Sequence, residues 1–111
     1  MHTIESEMPH CIEQCLLCYR ACVDSAMTHC LERGGEHVEP QHFRLMMACA
    51  EMCRSCAHIL LTHSALYRPV CRACAEICEQ CSHSCDRIGD MPACADACRS
   101  CAESCEKLFR S

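Results

Sequence analysis

The chain has 111 residues, 17 of them Cys, and a formal net charge of −5. Leu, Ile, Val and Phe number only 18, short of the ~20% below which a composition begins to look disordered, while the charge is too small for repulsion to explain a missing aliphatic core. Mild acidity with scattered Lys and Arg excludes a nucleic-acid footprint, and the longest aliphatic run, Ile59-Leu60-Leu61, is too short to span a bilayer.

Something other than large aliphatics must therefore fill the interior. Free Cys packs as a small hydrophobe, and 12 Ala can pack beside it. The pattern predicts a core made of sulfur.

Residues 1–10, Met-His-Thr-Ile-Glu-Ser-Glu-Met-Pro-His, have no basic start, no apolar stretch and no twin Arg. They do not read as a signal peptide, so the expected compartment is the cytoplasm. Thiols stay reduced there, and a Cys-rich chain is then expected to bind metal rather than carry disulfides.

The first predicted helix covers 4–33 and ends at Gly34-Gly35. It carries Cys11, Cys15, Cys18 and Cys22, spaced i, i+4, i+7, i+11. At ~100° per residue these four fall in a stripe roughly 60° wide. His29, eighteen residues past Cys11, is in phase with the stripe, whereas Cys30 is about 100° off it and is expected at the rim. The second helix is predicted over 41–66, after Pro40, with Cys49, Cys53 and Cys56 in the same rhythm. His42 and His63 lie seven residues outside this run on either side, near phase.

The third helix is predicted over 69–88, from Pro69 to the stop at Gly89, and carries Cys71, Cys74, Cys78, Cys81 and Cys85. The fourth is predicted over 92–109, after Pro92, with Asp90 as its expected N-cap and with Cys94, Cys98, Cys101 and Cys105. All four prolines, Pro9 included, read as residues of a helix's first turn. Pro9-His-Cys11, Pro69-Val-Cys71 and Pro92-Ala-Cys94 form an internal repeat of one helix design. Charges such as Glu13, Arg20, Arg72, Glu76, Asp96 and Arg99 fall outside the stripes. Short connections make neighbours antiparallel. The expected fold is thus all-α: an up-down-up-down four-helix bundle with a Cys-lined core, one domain over residues 1–111.

Thiols on successive helical turns have Cβ atoms about 5–6 Å apart, so two can share an ion. Soft thiolates select Cu(I), zinc or iron–sulfur clusters. A continuous stripe suits copper(I), which accepts two or three sulfurs and whose single charge balances one thiolate. Zinc prefers separate tetrahedral sites closed by four ligands. Iron–sulfur motifs wrap a cluster in a loop, whereas these spacings are those of straight helices. A disulfide scaffold would leave one of the 17 thiols over, and neighbours on one helical face pair poorly.

Antiparallel topology gathers His29, Cys30, His37, His42, Met46, Asp90 and Met91 at one end, and Ile4, Met8, Leu60, His63, Tyr67, Leu108 and Phe109 at the other. The first end is polar and ligand-rich, the second largely apolar. Copper is expected to enter at the first end, handed inward by His29, Cys30 and His42. Met46 and Met91 are either thioether ligands or core filler; His2, His10, His37, His58 and His83 are read as solvated or supporting residues.

Four Cys-lined segments, with Cys11-Ile-Glu-Gln-Cys15-Leu-Leu-Cys18-Tyr-Arg-Ala-Cys22 in the first and Cys74-Ala-Glu-Ile-Cys78-Glu-Gln-Cys81 in the third, resemble the bacterial copper storage proteins, the cytosolic branch in particular. The resemblance runs from about Cys11 to Cys105. It implies a four-helix bundle, typically tetrameric, that loads many Cu(I) ions onto its core cysteines, here all seventeen, with histidines involved at the open end. Two departures stand out: Leu60 occupies the place of a fourth Cys in the second segment, and Ser25 and Ala26 stand where the first has room for another. The implied function is storage and detoxification without catalysis. The alternatives are a copper chaperone, which needs only an exposed thiol pair, and an iron–sulfur or zinc thiolate protein.

Overall fold

The computed structural model describes residues 4–111, with side chains from Glu7 onward. His2 and the side chain of Ile4 lie outside the described residues. Four helices account for the fold: α1 (Ile4–Ser25), α2 (Pro40–Leu61), α3 (Tyr67–Ile88) and α4 (Pro92–Arg110). A π-helical turn, Ala26–Cys30, and a last helical turn, Leu31–Arg33, prolong α1. A 3-10 turn, Gly35–Val38, leads into α2. The helices pack in a ring, each against its neighbours, with α4 closing back onto α1. No described helix is long and apolar enough to cross a membrane.

Local chemistry explains most of the boundaries. Gly34 and Gly89 follow α1's last turn and α3 with φ of 67° and 83°, a region where a side chain is strained. Pro40 and Pro92 stand in the first turn of α2 and α4, where a missing N–H costs no hydrogen bond. Pro69 is the third residue of α3, which starts two residues before the expected boundary because the first turn tolerates proline.

Three expectations need correction. Pro9 is not in a first turn but inside α1. The second helix stops at Leu61 rather than 66, since Thr62 folds its hydroxyl back on the Ile59 carbonyl at 2.7 Å and His63 turns left-handed at φ 57°. Asp90 does not cap α4. Met91 precedes that helix, while Asp90, at φ 62°, turns its carboxylate to Arg33 Nη2 at 2.8 Å. The side-chain cap is instead at α2, where Glu39 accepts from the backbone N–H groups of Gln41 (3.0 Å) and His42 (2.9 Å). Those amides hold the Glu39 carboxyl below its ordinary pKa.

The interior is sulfur. All 17 cysteines are buried, accompanied by Ala26, Ala50, Ala57, Ala75, Ala95 and Ala102. Among the described residues, large aliphatics enter the core only at one end, where Leu60 and Leu108 are fully enclosed. Leu60, the residue that breaks the second segment's Cys rhythm, therefore forms half of an apolar plug.

Candidate metal centre

Each helix contributes one edge of a sulfur column. Running from the plugged end, α1 supplies Cys11, Cys15, Cys18 and Cys22, and α3 supplies Cys71, Cys74, Cys78, Cys81 and Cys85. The antiparallel α2 and α4 supply Cys56, Cys53, Cys49 and Cys105, Cys101, Cys98, Cys94. Antiparallel packing interleaves the steps. Cys11 meets Cys105 at 3.6 Å, Cys15 meets Cys101 at 3.7 Å, Cys18 meets Cys98 at 3.6 Å, and Cys22 meets Cys94 at 3.5 Å. Across the other seams, Cys53 lies 3.5 Å from Cys78, and Cys85 lies 3.5 Å from Cys94. All 17 thiols are free. Contacts of this length are thiol hydrogen bonds in van der Waals reach, far from the ~2.05 Å of a disulfide.

Sets of four sulfurs lie within 4.8 Å of one another, among them Cys15–Cys74–Cys101–Cys105, Cys18–Cys49–Cys53–Cys78 and Cys18–Cys22–Cys49–Cys98. Two further sets are Cys53–Cys74–Cys78–Cys101 and Cys22–Cys81–Cys94–Cys98. The sets overlap: Cys18, Cys22, Cys49, Cys53, Cys74, Cys78, Cys98 and Cys101 each belong to two. Closed tetrahedral sites cannot all be filled from such a pool, because filling one removes ligands from the next. Ions content with two or three bridging sulfurs can occupy the whole column. With a metal–thiolate bond of ~2.3 Å as a yardstick, sulfurs 4.0 Å apart subtend roughly 120° at a shared ion, a trigonal angle.

Proton positions in the column are interdependent. Cys49 is pulled well below the ordinary thiol value, first by a hydrogen bond from Cys18, whereas Cys53 is pushed up, first through Cys101, and Cys98 is pushed up, first through Cys18. A thiolate at one level is stabilised by neighbours that donate to it, and three of those around Cys49, namely Cys22, Cys53 and Cys78, hold their own protons harder. Full deprotonation of the column thus requires incoming cations to replace the protons.

The end opposite the plug departs from the α-helical phase. The π turn inserts one extra residue, which rotates everything beyond it by about 100°. Cys30 is therefore brought inside, fully buried, rather than left at the rim. Burial raises its pKa, with Cys94 adding to the effect. Its Sγ lies 3.9 Å from Met46 Sδ and 3.9 Å from Met91 Sδ, both buried, so three soft donors meet above the column. His29 is displaced by the same rotation. Its ring, about a third exposed, stands with Nε2 3.8 Å from Asp90 Oδ2 and packs edge-on to His37 at 5.1 Å. The expected inward phase of His29 does not survive the π turn.

His42 keeps its expected place. It is 1% exposed, its Nδ1 lies 2.7 Å from Ser84 Oγ of α3, and its Nε2 is buried without a hydrogen-bond partner. Burial lowers its pKa, with the Arg87 charge assisting. The structure thus gathers sixteen cysteines into one column, sets Cys30 with two methionines and His42 at its open end, and leaves His29 at the rim. Ser84 escaped the sequence reading, since a helical serine carries no signal of a partner on another helix.

The sequence matches the family model described as copper storage protein over residues 4–110. No curated protein matches. Among solved structures, the Nmul_A1745 protein of Nitrosospira multiformis is similar at 45% identity and a TM-score of 0.93, over 96% of this chain and 97% of that one. The Cu(I)-bound copper storage protein BsCsp3 of Bacillus subtilis is similar at 34% identity and a TM-score of 0.85, over 93% of this chain and 98% of that one. A cytosolic copper storage protein of Streptomyces lividans, solved with five coppers, is similar at 34% identity and a TM-score of 0.81, over 95% and 93% of the two chains.

Proposed function

This chain belongs to the copper storage protein family, and on that premise we propose that it holds many Cu(I) ions on the thiolates of Cys11, Cys15, Cys18, Cys22, Cys49, Cys53, Cys56, Cys71, Cys74, Cys78, Cys81, Cys85, Cys94, Cys98, Cys101 and Cys105. The observation that carries this reading is the overlap of the thiol quartets, in which sulfurs are shared between adjacent sets and separate tetrahedral sites are not. Residues 1–111 act as one storage unit. The protein performs no catalysis; its work is to lower free Cu(I) and so spare other thiols. The cytosol is its compartment, by analogy with the Streptomyces neighbour.

Copper enters at the end away from the Leu60–Leu108 plug. Cys30, with Met46 and Met91 beside it, and His42 are the donors closest to the role of first acceptor, while His29 serves at the rim. A homotetramer is the expected assembly. Leu16, Leu17, Met27 and Leu31, all exposed along the first helix and its extension, offer apolar surface for it to cover. The core is already filled by thiols, so the metal-free chain folds, unlike a zinc finger that needs its ion.

The test is anaerobic titration of the reduced protein with Cu(I) against a competing chelator. Saturation approaching one ion per thiol is expected. Saturation at one or two ions identifies a chaperone instead, and a visible chromophore in the purified protein identifies an iron–sulfur carrier.

A further inference from the structure

The His42–Ser84 contact is not needed for stacking thiols, and it joins two helices at the point where the column opens. His42 is the third residue of α2, and its backbone is fixed by the Glu39 cap. Its ring reaches across to α3, where Ser84 Oγ sits 2.7 Å from Nδ1. The other nitrogen, Nε2, is buried and has no partner. A neutral imidazole carries one N–H and one lone pair. Were the proton on Nε2, a buried N–H would go unmet, an arrangement rarer in folded proteins than an unmet acceptor. The proton therefore belongs on Nδ1, donated to Ser84 Oγ, and Nε2 is left as a bare lone pair. Ser84 itself is only half-buried and borders a groove lined by Glu39, Gln41, Leu45, Gln80, His83 and Arg87. Its hydroxyl can pass its own proton outward while accepting from the ring.

We infer that Ser84 is a positioning residue for copper transfer: by accepting the Nδ1–H of His42 it keeps Nε2 free to take Cu(I) at the mouth and pass it to the first thiol ring, Cys22, Cys85 and Cys94. This rests on the storage reading. The same arrangement, a metal-binding imidazole oriented by a hydrogen bond on its far nitrogen, is general among histidine ligands, and losing the orienting partner typically costs 10–100-fold.

The matched variants are Ser84→Thr, which keeps the hydroxyl, and Ser84→Val, which has the shape of threonine without it. Two readouts apply. Ring 15N shifts of His42 in the reduced, metal-free protein report the tautomer, assigned by loss of the signal in His42→Gln. The rate of copper uptake from a Cu(I)–chelator complex reports transfer, with final capacity measured alongside. The valine variant is expected to lose the Nδ1–H signature and load about tenfold more slowly, with unchanged capacity; the threonine variant is expected to match the parent in both. A second arm combines Ser84→Val with His42→Gln, which is expected to load no more slowly than His42→Gln alone.

A valine variant with the parent's tautomer and rate overturns the inference. So does a slowing that threonine fails to restore, or one that adds to the His42→Gln defect. Should the valine variant not fold, Ser84→Ala is judged by the same ring shifts and rate. Failure of the storage reading looks different: the parent protein itself saturates at one or two ions.

Discussion

Removing the Cys53 sulfur tests the column where it is most connected. Cys53 Sγ lies 3.5 Å from Cys78, 3.8 Å from Cys101 and 3.9 Å from Cys74, and it belongs to two of the overlapping quartets. Cys53→Ala deletes one fully buried atom of about methylene size, a transfer loss of ~0.8 kcal/mol. The small void left among unyielding neighbours adds to this, for a total of roughly 1–2 kcal/mol. In a chain this long, the melting temperature of the metal-free protein is expected to fall by about 4–8 °C. Copper capacity is expected to fall by about one to two ions, because two sets lose a shared ligand together. Circular dichroism of the reduced apo-protein and chelator-competed Cu(I) titration measure the two effects. Helical content equal to the parent's, with reduced capacity, is the expected pair. Unchanged capacity refutes the column as the store, and a coil spectrum for the parent apo-protein refutes the argument that thiols alone fill the core.

Leu108→Ala should behave in the opposite way: it opens a cavity in the apolar plug at a cost of about 2–4 kcal/mol, read by urea denaturation, while capacity stays at the parent value. Met46→Ala removes one of the two thioethers beside Cys30; copper uptake is expected to slow several-fold and capacity to drop by at most about one ion, whereas capacity lost wholesale would show that Met46 supports the column instead. The metal-free protein should become less stable as pH falls below about 6.5, the free histidine value. Burial depresses the pKa of His42, so the unfolded chain takes up a proton that the folded chain refuses until lower pH. The His42 contribution to stability is whole above that value and lost on the way down through the folded pKa. In His42→Gln this part of the slope should vanish from urea midpoints measured between pH 5 and 7.5, and an unchanged slope counts against a neutral, buried His42.

The helices and most of the site were legible because their signals are local. A Cys every three or four residues is both the pattern of a helix face and the spacing of shared ligands, so fold and chemistry were read from the same residues. The columns of α1, α3 and α4 could be counted along the chain without any knowledge of their partners. Helix ends were harder. Pro69 and Asp90 carry strong boundary preferences, yet the first turn of α3 accommodates Pro69 as its third residue, and the Asp90 carboxylate pairs with Arg33 instead of capping α4. Glu39 became the side-chain cap of α2 although Glu is not among the residues that favour that position.

The open end divides the two sources of information most sharply. Sequence by itself determined that sulfur fills the core, that four segments share one axis, and that ligands of mixed type gather at one end. Periodicity assigned the inward position to His29 and the rim to Cys30, because every count assumed 3.6 residues per turn. The π turn over Ala26–Cys30 adds a residue and exchanges them. Only the tertiary structure decided this: with the added residue Cys30 packs against Met46 and Met91, residues 16 and 61 positions away, contacts that no local count contains. The Ser84–His42 bond has the same character: two polar side chains on different helices, invisible to any local pattern, meet because the bundle brings them to one level.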